Sequence, residues 1–385
     1  MRYALLVLAI VGVAPAAHAQ GSIFGVRGLG IPGRGVSAYA WGLGGSTGLF
    51  DYESRDNPAS IASTRTLSVG FELIPERRTV ETPAGNDKIQ TSQFPLFGIA
   101  GPIRGSRVGL GVSFSNYASR DFEVVSTHSE VIRGVPVDVT DTLTSRGGLN
   151  DIAVGTSYGL TGTLDVGAAF HVITGVNRLD QTRVFSDTSY LPASQSSELS
   201  FAGFGIGIGA VYRASPNLRL ASILRTDSKV DVDRDSSRSS SVDLPYTVGA
   251  ALQFVPTPSL SLSSQVMYRS WSGANDDLVA QGGAGARNTL ELSGGAEFVP
   301  DPKRPWRRPI RIGIRYARLP FLLEGVNDQP HEMGISLGSG IRFAGQRGGL
   351  DVALERTWRS AGSDYKERAW LLVIGLSVRP ALSQP

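Results

Sequence analysis

The sequence predicts an all-β protein: a fourteen-stranded antiparallel transmembrane β-barrel with an N-terminal hatch segment. Three observations lead to this reading. Beyond residue 63 apolar residues recur with period two, the periodicity of strands whose two faces meet different surroundings. Six short turns alternate with seven longer polar stretches, the asymmetry of a barrel with short periplasmic turns and long outer loops. The chain also opens with a secretory signal, and no later stretch approaches the roughly 20 apolar residues that a membrane-spanning helix needs.

Taken in order, residues 1–19 have the parts of a cleavable signal: Arg2 as the charged start, Leu5 to Val13 as the apolar run, and Ala17-His18-Ala19 before the cleavage point. Residues 20–63 form the expected hatch, 64–379 the barrel and 380–385 a short tail. Within the hatch, the stretch from Gly42 to Ala62 is rich in glycine and turn-forming residues and ends in Asn57-Pro58-Ala59. That triplet suits a turn, because asparagine can hydrogen-bond nearby backbone and proline fixes φ. Gly28-Leu29-Gly30-Ile31-Pro32-Gly33 fits a dinucleotide-binding spacing, but no strand precedes it and Pro32 sits where the phosphate-binding helix would begin.

Composition narrows the class further. The chain has no cysteine, so an exported protein of this length holds together without disulfides. Its 47 glycines in 385 residues exceed the usual share of about 7% and need a structural cause, which inward-facing glycines making room inside a barrel would supply. The net charge of +3 is too small to argue for nucleic acid. Only Lys88, Lys229, Lys303 and Lys366 are lysines and the other 33 cations are arginines, whose forked guanidinium suits carboxylate or lipid phosphate.

The alternation is plain in Val108, Leu110, Val112 and Phe114, in Leu164 to Val172, in Phe204, Ile206 and Ile208, and in Tyr246 to Phe254. Later strands oppose Ile310, Ile312 and Ile314 to Arg311 and Arg315, and Met333, Ile335 and Leu337 to Glu332. Short turns fall at 104–107, 160–163, 214–217, 256–259, 300–309 and 344–349. Longer polar stretches lie at 76–89, 118–148, 177–197, 226–241, 270–287, 320–329 and 360–367. Tyr117, Tyr212, Tyr268, Trp271, Tyr316, Trp358 and Trp370 fall near strand ends, where interfacial aromatic girdles sit.

Charges on the inward faces carry both signs and suit pairing across neighbouring strands. Arg311 and Arg315, four apart on one face, are the candidates to receive a ligand carboxylate. Phe321-Leu322-Leu323, three consecutive apolar residues in a loop that should be wet, is the clearest apolar cue outside the strands, with Leu191, Leu278 and Val279 beside it. His128, His171 and His331 are too scattered for a metal motif, and nothing arranges a nucleophile with a base, so the chain reads as no enzyme and needs no cofactor.

With these residues assembled, the chain resembles the FadL-type outer-membrane transporters of long-chain fatty acids and other hydrophobic compounds. The matching elements are Gly28-Leu29-Gly30, Gly33-Arg34-Gly35, Ser54 to Asp56 before Asn57-Pro58-Ala59, Leu244-Pro245 before Val248-Gly249, Tyr268 to Ser272, Ile335 to Gly340, and the strand count. The resemblance implies passive uptake of long-chain fatty acids or other hydrophobic small molecules across the outer membrane. It places Gly44, Gly45, Asn57, Pro58 and Ala59 in a gating hatch, while the reading of the residues themselves supplies Phe321, Leu322, Leu323, Arg311 and Arg315 as the ligand-binding candidates. The partners expected are a hydrophobic ligand and outer-membrane lipid, with no nucleic acid, and the barrel is expected as a monomer. Gly44-Gly45-Ser46, Asp51 and the Asn-Pro-Ala triplet are also similar to accessory barrels of the type IX secretion system, which implies the alternative of a non-transporting protein shuttle or scaffold.

Overall fold

The computed structural model describes residues 21–380 apart from 84, 236, 281, 282, 305–307 and 324. The expected signal segment and the last five residues lie outside the described part. Fourteen strands form the wall. In chain order they are β1 (Ser68–Thr82), β2 (Gly85–Gln93 with Leu96–Pro102), β3 (Val108–Ser119 with Phe122–Ile132), β4 (Val135–Gly159) and β5 (Leu164–Phe185). Then come β6 (Ala193–Ser215), β7 (Leu218–Asp227 with Val230–Arg234), β8 (Ser237–Val242 with Thr247–Thr257) and β9 (Leu260–Arg269). The last five are β10 (Thr289–Phe298), β11 (Ile310–Arg318), β12 (His331–Phe343), β13 (Gly348–Ala361) and β14 (Tyr365–Val378).

Each strand pairs antiparallel with the next, and β14 returns to β1, from Val378↔Val69 to Lys366↔Glu81. That last pairing closes the barrel, as a strand-built membrane span requires. The period-two pattern resolves as expected. Phe97, Ile99, Leu110, Val112, Ile206, Ile312, Ile335 and Leu337 are exposed on the outside, a band that only lipid can cover. Tyr158 and Tyr212 border the band near the short turns, and Tyr246, Trp358 and Trp370 near the long-loop end. The Arg356 guanidinium lies 5.7 Å from the Trp358 ring and 5.0 Å from the Trp370 ring.

The long polar stretches differ from expectation. Most of 118–148, 177–197 and 226–241 is strand, so the wall of β3 to β7 rises well past the bilayer. β4 alone has 25 residues, whereas crossing the hydrocarbon layer takes about 9–11. The cause is visible in Val135, Val137 and Val139 with Thr140, Thr142 and Thr144. These are β-branched residues whose ladder partners on β3 and β5 satisfy the backbone, so polarity there does not mean irregularity. A short helix, α1 (Ala38–Trp41), lies in the N-terminal segment, and a second, α2 (Asn275–Ala280), in the loop after β9.

Candidate functional site: the lumen and its side opening

The lumen is occupied by the chain's own N-terminus. Between residues 36 and 61 most side chains are buried, with Leu43 at 1% and Leu49 and Asn57 at 0% exposure. The wall accommodates this segment with glycine. A Cβ on Gly295 would stand 2.7 Å from the Leu43 carbonyl oxygen, and one on Gly338 2.8 Å from Gly42 Cα. A Cβ on Gly313 would collide with the backbone of Leu43 and Gly44, and one on Gly167 would stand 2.5 Å from the Ala59 nitrogen. The glycine excess therefore has the expected cause: backbone meets backbone where any side chain would hold the segment off the wall.

Gly44 sits at the tightest part of this contact, and Gly45 follows it. Both have positive φ, 68° and 93°, a region glycine enters at little cost. The Gly44 amide donates to Ser336 Oγ of β12 at 3.1 Å, and the Gly45 amide donates to the Ala40 carbonyl at 2.8 Å. Asn57 is the N-cap of a 3₁₀ turn, Pro58–Ser63, with proline at its start. Its Oδ1 accepts from the Ala59 amide at 3.0 Å, while Nδ2 donates to the Leu49 carbonyl at 2.9 Å and to Ala210 of the wall at 3.3 Å. The triplet thus makes a capped turn and also fastens the segment to β6.

The inward charges pair, largely with one another. Arg311 is 4% exposed and lies between Glu297 and Asp351 at 2.7 Å each, with its guanidinium 4.4 Å from the Tyr39 ring. Arg315 pairs with Glu332 and, at 3.8 Å, with Glu291. Glu332 also holds Arg359, which reaches Glu367 at 3.2 Å, and Glu367 accepts from Ser22 Oγ at 2.7 Å. On the N-terminal side Arg34 joins Glu355 at 2.9 Å and covers the Trp41 ring at 3.5 Å. Arg311 and Arg315 are therefore together on one face, as their spacing requires, with their guanidinium groups engaged by carboxylates of the wall.

Phe321 and Leu323 also face structure, whereas Leu322 is half-buried. Phe321 and Leu323 are buried: the Phe321 ring meets Trp271 edge-on at 5.1 Å, and Leu323 packs with Phe24 and Ala361. Trp271 and Leu278 belong to an apolar layer with Leu29, Leu149, Ile173 and Phe201 at the long-loop end of the lumen, whereas Leu191 and Val279 are exposed. Beneath that layer is a polar cavity of about 100 Å³, bordered by Arg34, Asp56, His171, Arg225, Arg269 and Glu291. His171 Nδ1 lies 3.0 Å from Asp151, which Arg225 also contacts at 2.6 Å.

A feature not read from the sequence is an opening in the wall. β2 pairs with β3 only along Leu96–Pro102, opposite 109–115. Beyond that, the Gly85–Gln93 part of β2 pairs only with β1, and the Phe122–Ile132 part of β3 only with β4. Pro95 has no N–H to extend a ladder, and the β3–β4 register shifts between Asn116 and Ala118. The N-terminal segment crosses this gap: Ile31 and Pro32 pair with Ser119 and Ala118. Behind it lies a cavity of about 330 Å³ whose lining includes Ile31, Trp41, Ile74, Gln93, Ser119 and Arg359. The only sequence signals for it are Pro95 and the ionic side chains near residue 120, neither distinctive alone.

Comparison with known proteins agrees with this architecture. The model of the BamG family matches residues 45–240. Among solved structures, a FadL homologue from Pseudomonas aeruginosa is similar at 12% identity, with 89% of this chain and 98% of that chain covered and a TM-score of 0.60. The toluene transporter TbuX of Ralstonia pickettii aligns at 15% identity over 90% of this chain and 99% of that chain, with a TM-score of 0.60. The toluene transporter TodX of Pseudomonas putida does so at 12% identity over 94% and 100%, with a TM-score of 0.58. No curated protein sequence matches the chain.

Proposed function

Because the chain belongs to the BamG family and has the barrel fold of FadL-type channels, we propose that it is an outer-membrane channel for hydrophobic or amphipathic small molecules, gated by its N-terminal hatch. The observation that supports this best is the gap between β2 and β3, closed by two hatch residues and backed by a cavity of about 330 Å³. A ligand collected at the outer loops would reach the cavity along the hatch and leave sideways through the gap. No energy source is needed, since the bilayer takes up apolar surface at roughly 25 cal/mol per Å² removed from water. The lining mixes Ile31, Trp41 and Ile74 with Gln93, Ser119 and Arg359, which suits a ligand with a polar end, a long-chain fatty acid among them.

The test is uptake into proteoliposomes of a fluorescent long-chain fatty acid, a monoaromatic hydrocarbon and a small sugar. Saturable uptake of one of the first two, without the sugar, is the expected result. No uptake above protein-free vesicles by a barrel shown to be folded would overturn the channel reading. A second reading, a scaffold that passes nothing, is favoured by the ion pairs and glycine contacts that hold the hatch in place. The same assay separates the two.

A further inference from the structure

Charge is distributed unevenly around the short-turn end of the barrel. Arg65 before β1, Arg104 and Arg107 between β2 and β3, Arg304 and Arg308 between β10 and β11, and Arg347 between β12 and β13 are all exposed. Lys303 adds a seventh exposed cation. No ion pair involves these seven among the described residues. Because β14 pairs with β1, the turns that carry them are neighbours and form one arc from β10 through β14 to β3. The other three turns, at 160–163, 216–217 and 258–259, contain no charged residue. In the arc's turns the one exposed acid among the described residues is Asp301, whose carboxylate accepts the Lys303 amide at 3.0 Å.

We propose that this basic arc is a docking surface for the acidic face of a periplasmic protein, seated on one side of the barrel mouth. Short turns lie on the periplasmic side of outer-membrane barrels, so the arc faces that compartment. Seven unpaired cations on adjacent turns cost solubility nothing and raise the local potential that steers an acidic partner into register. The one-sidedness identifies the occupant. Phospholipid headgroups surround the whole circumference and would meet the uncharged half as often as the basic half.

A second copy of this chain in the same membrane does not fit either. Apart from Asp301, its exposed acids, such as Asp87, Glu130, Asp138, Asp187, Asp235 and Asp328, lie at the opposite end of the barrel. The arc also adjoins the base of the hatch. Residues 64–67 connect hatch to wall there, and Arg379 beyond β14 donates to Tyr52 Oη at 3.0 Å and pairs with Glu53 at 3.5 Å. A protein docked on the arc would therefore touch the part of the mouth from which the hatch departs. This inference does not depend on whether the barrel conducts.

Two measurements on the full-length protein test it. In living cells, photo-crosslinking residues are placed at Ser106 and Gln346 in the arc and, as controls, at Thr161 and Ser259 in the uncharged turns. The expected result is one discrete protein adduct from the first pair and none from the second. The adduct should be lost when Arg65, Arg104, Arg107, Arg304 and Arg347 are all changed to Gln, and its protein should have a net acidic face. In phosphatidylcholine nanodiscs, a labelled oligoglutamate peptide should bind the natural chain and lose about tenfold in affinity in the five-fold variant or at high salt. Heat-modifiable gel mobility confirms that the variant, altered only at exposed turns, is folded. Equal adducts from both halves, no adduct, or a variant whose sole defect is weaker retention in phosphatidylglycerol discs would overturn the proposal, the last by assigning the arc to lipid.

Discussion

Individual residues decide whether the hatch can seat. Gly313 has no space for a side chain beside Leu43 and Gly44, so Gly313→Leu should lift this part of the hatch away from β11. The expected outcome is faster proteolysis within residues 36–62 with an unchanged heat-modifiable barrel. Glu355 is fully buried and answers the partly buried Arg34, so Glu355→Gln leaves that guanidinium without its carboxylate. Losing one partner of a fully buried pair costs about 3–5 kcal/mol, an upper bound for this partly exposed one, and the same protease assay should show the hatch loosened.

Asp56 tests the sign of the electrostatics. Burial pushes its carboxyl up to about 7, against the opposing pull of Arg269, Arg225 and Arg34 and with help from Glu291. A carboxyl raised in the folded state favours folding in its protonated form. Its contribution is therefore full below the ordinary carboxyl range and is lost as pH rises through about 7. Hatch protection should fall between about pH 4 and pH 7 in the natural chain, and Asp56→Asn should flatten that dependence. A profile unchanged by the substitution would show that Asp56 is not the titrating group.

Among the elements, β2 and β3 are the pair that differs from the rest of the wall. Their ladder stops where Pro95 cannot donate, and the upper halves continue on separate partners. If ligands leave through that gap, filling it should stop hydrophobic uptake. The protein has no cysteine, so Ser119→Cys, in the cavity lining, can be labelled alone with a bulky maleimide. Labelled Ser119→Cys should lose most uptake of the fatty-acid probe, and labelled Thr161→Cys, in a distant turn, none. Retained uptake in the first would remove the side opening from the path. This element was poorly legible in the sequence. Pro95 shows a missing donor, but whether its neighbours splay or rejoin depends on β1 and β4, which are remote in the chain.

At the scale of the molecule, the barrel and its filling are one packed system. The hatch is held by a capped turn at Asn57, glycine contacts on β5 and β10 to β12, and ion pairs along β12 to β14. Removing residues 21–56 should leave a closed sheet, because every ladder of the wall except the short pairing at Ile31 is formed between wall strands. The expected result is a folded barrel that leaks small polar solutes in a liposome-swelling assay. Unchanged permeability would mean that the outer apolar layer around Trp271 and Phe321 seals the lumen by itself.

The strand count and the lipid-facing residues were readable from the chain alone. Period-two alternation and turn asymmetry are local properties, and the bilayer enforces them on every strand. The same locality explains the misreading of 118–148 as loop, since its strands are stabilised by neighbours that polarity does not reveal. Other features were settled only by tertiary structure: that Arg311 and Arg315 are answered by carboxylates, that Phe321 and Leu323 turn inward, and that β2 and β3 part. Each depends on which groups meet across the lumen. Those contacts join residues as far apart as Arg34 and Glu355, and no spacing along the chain encodes them.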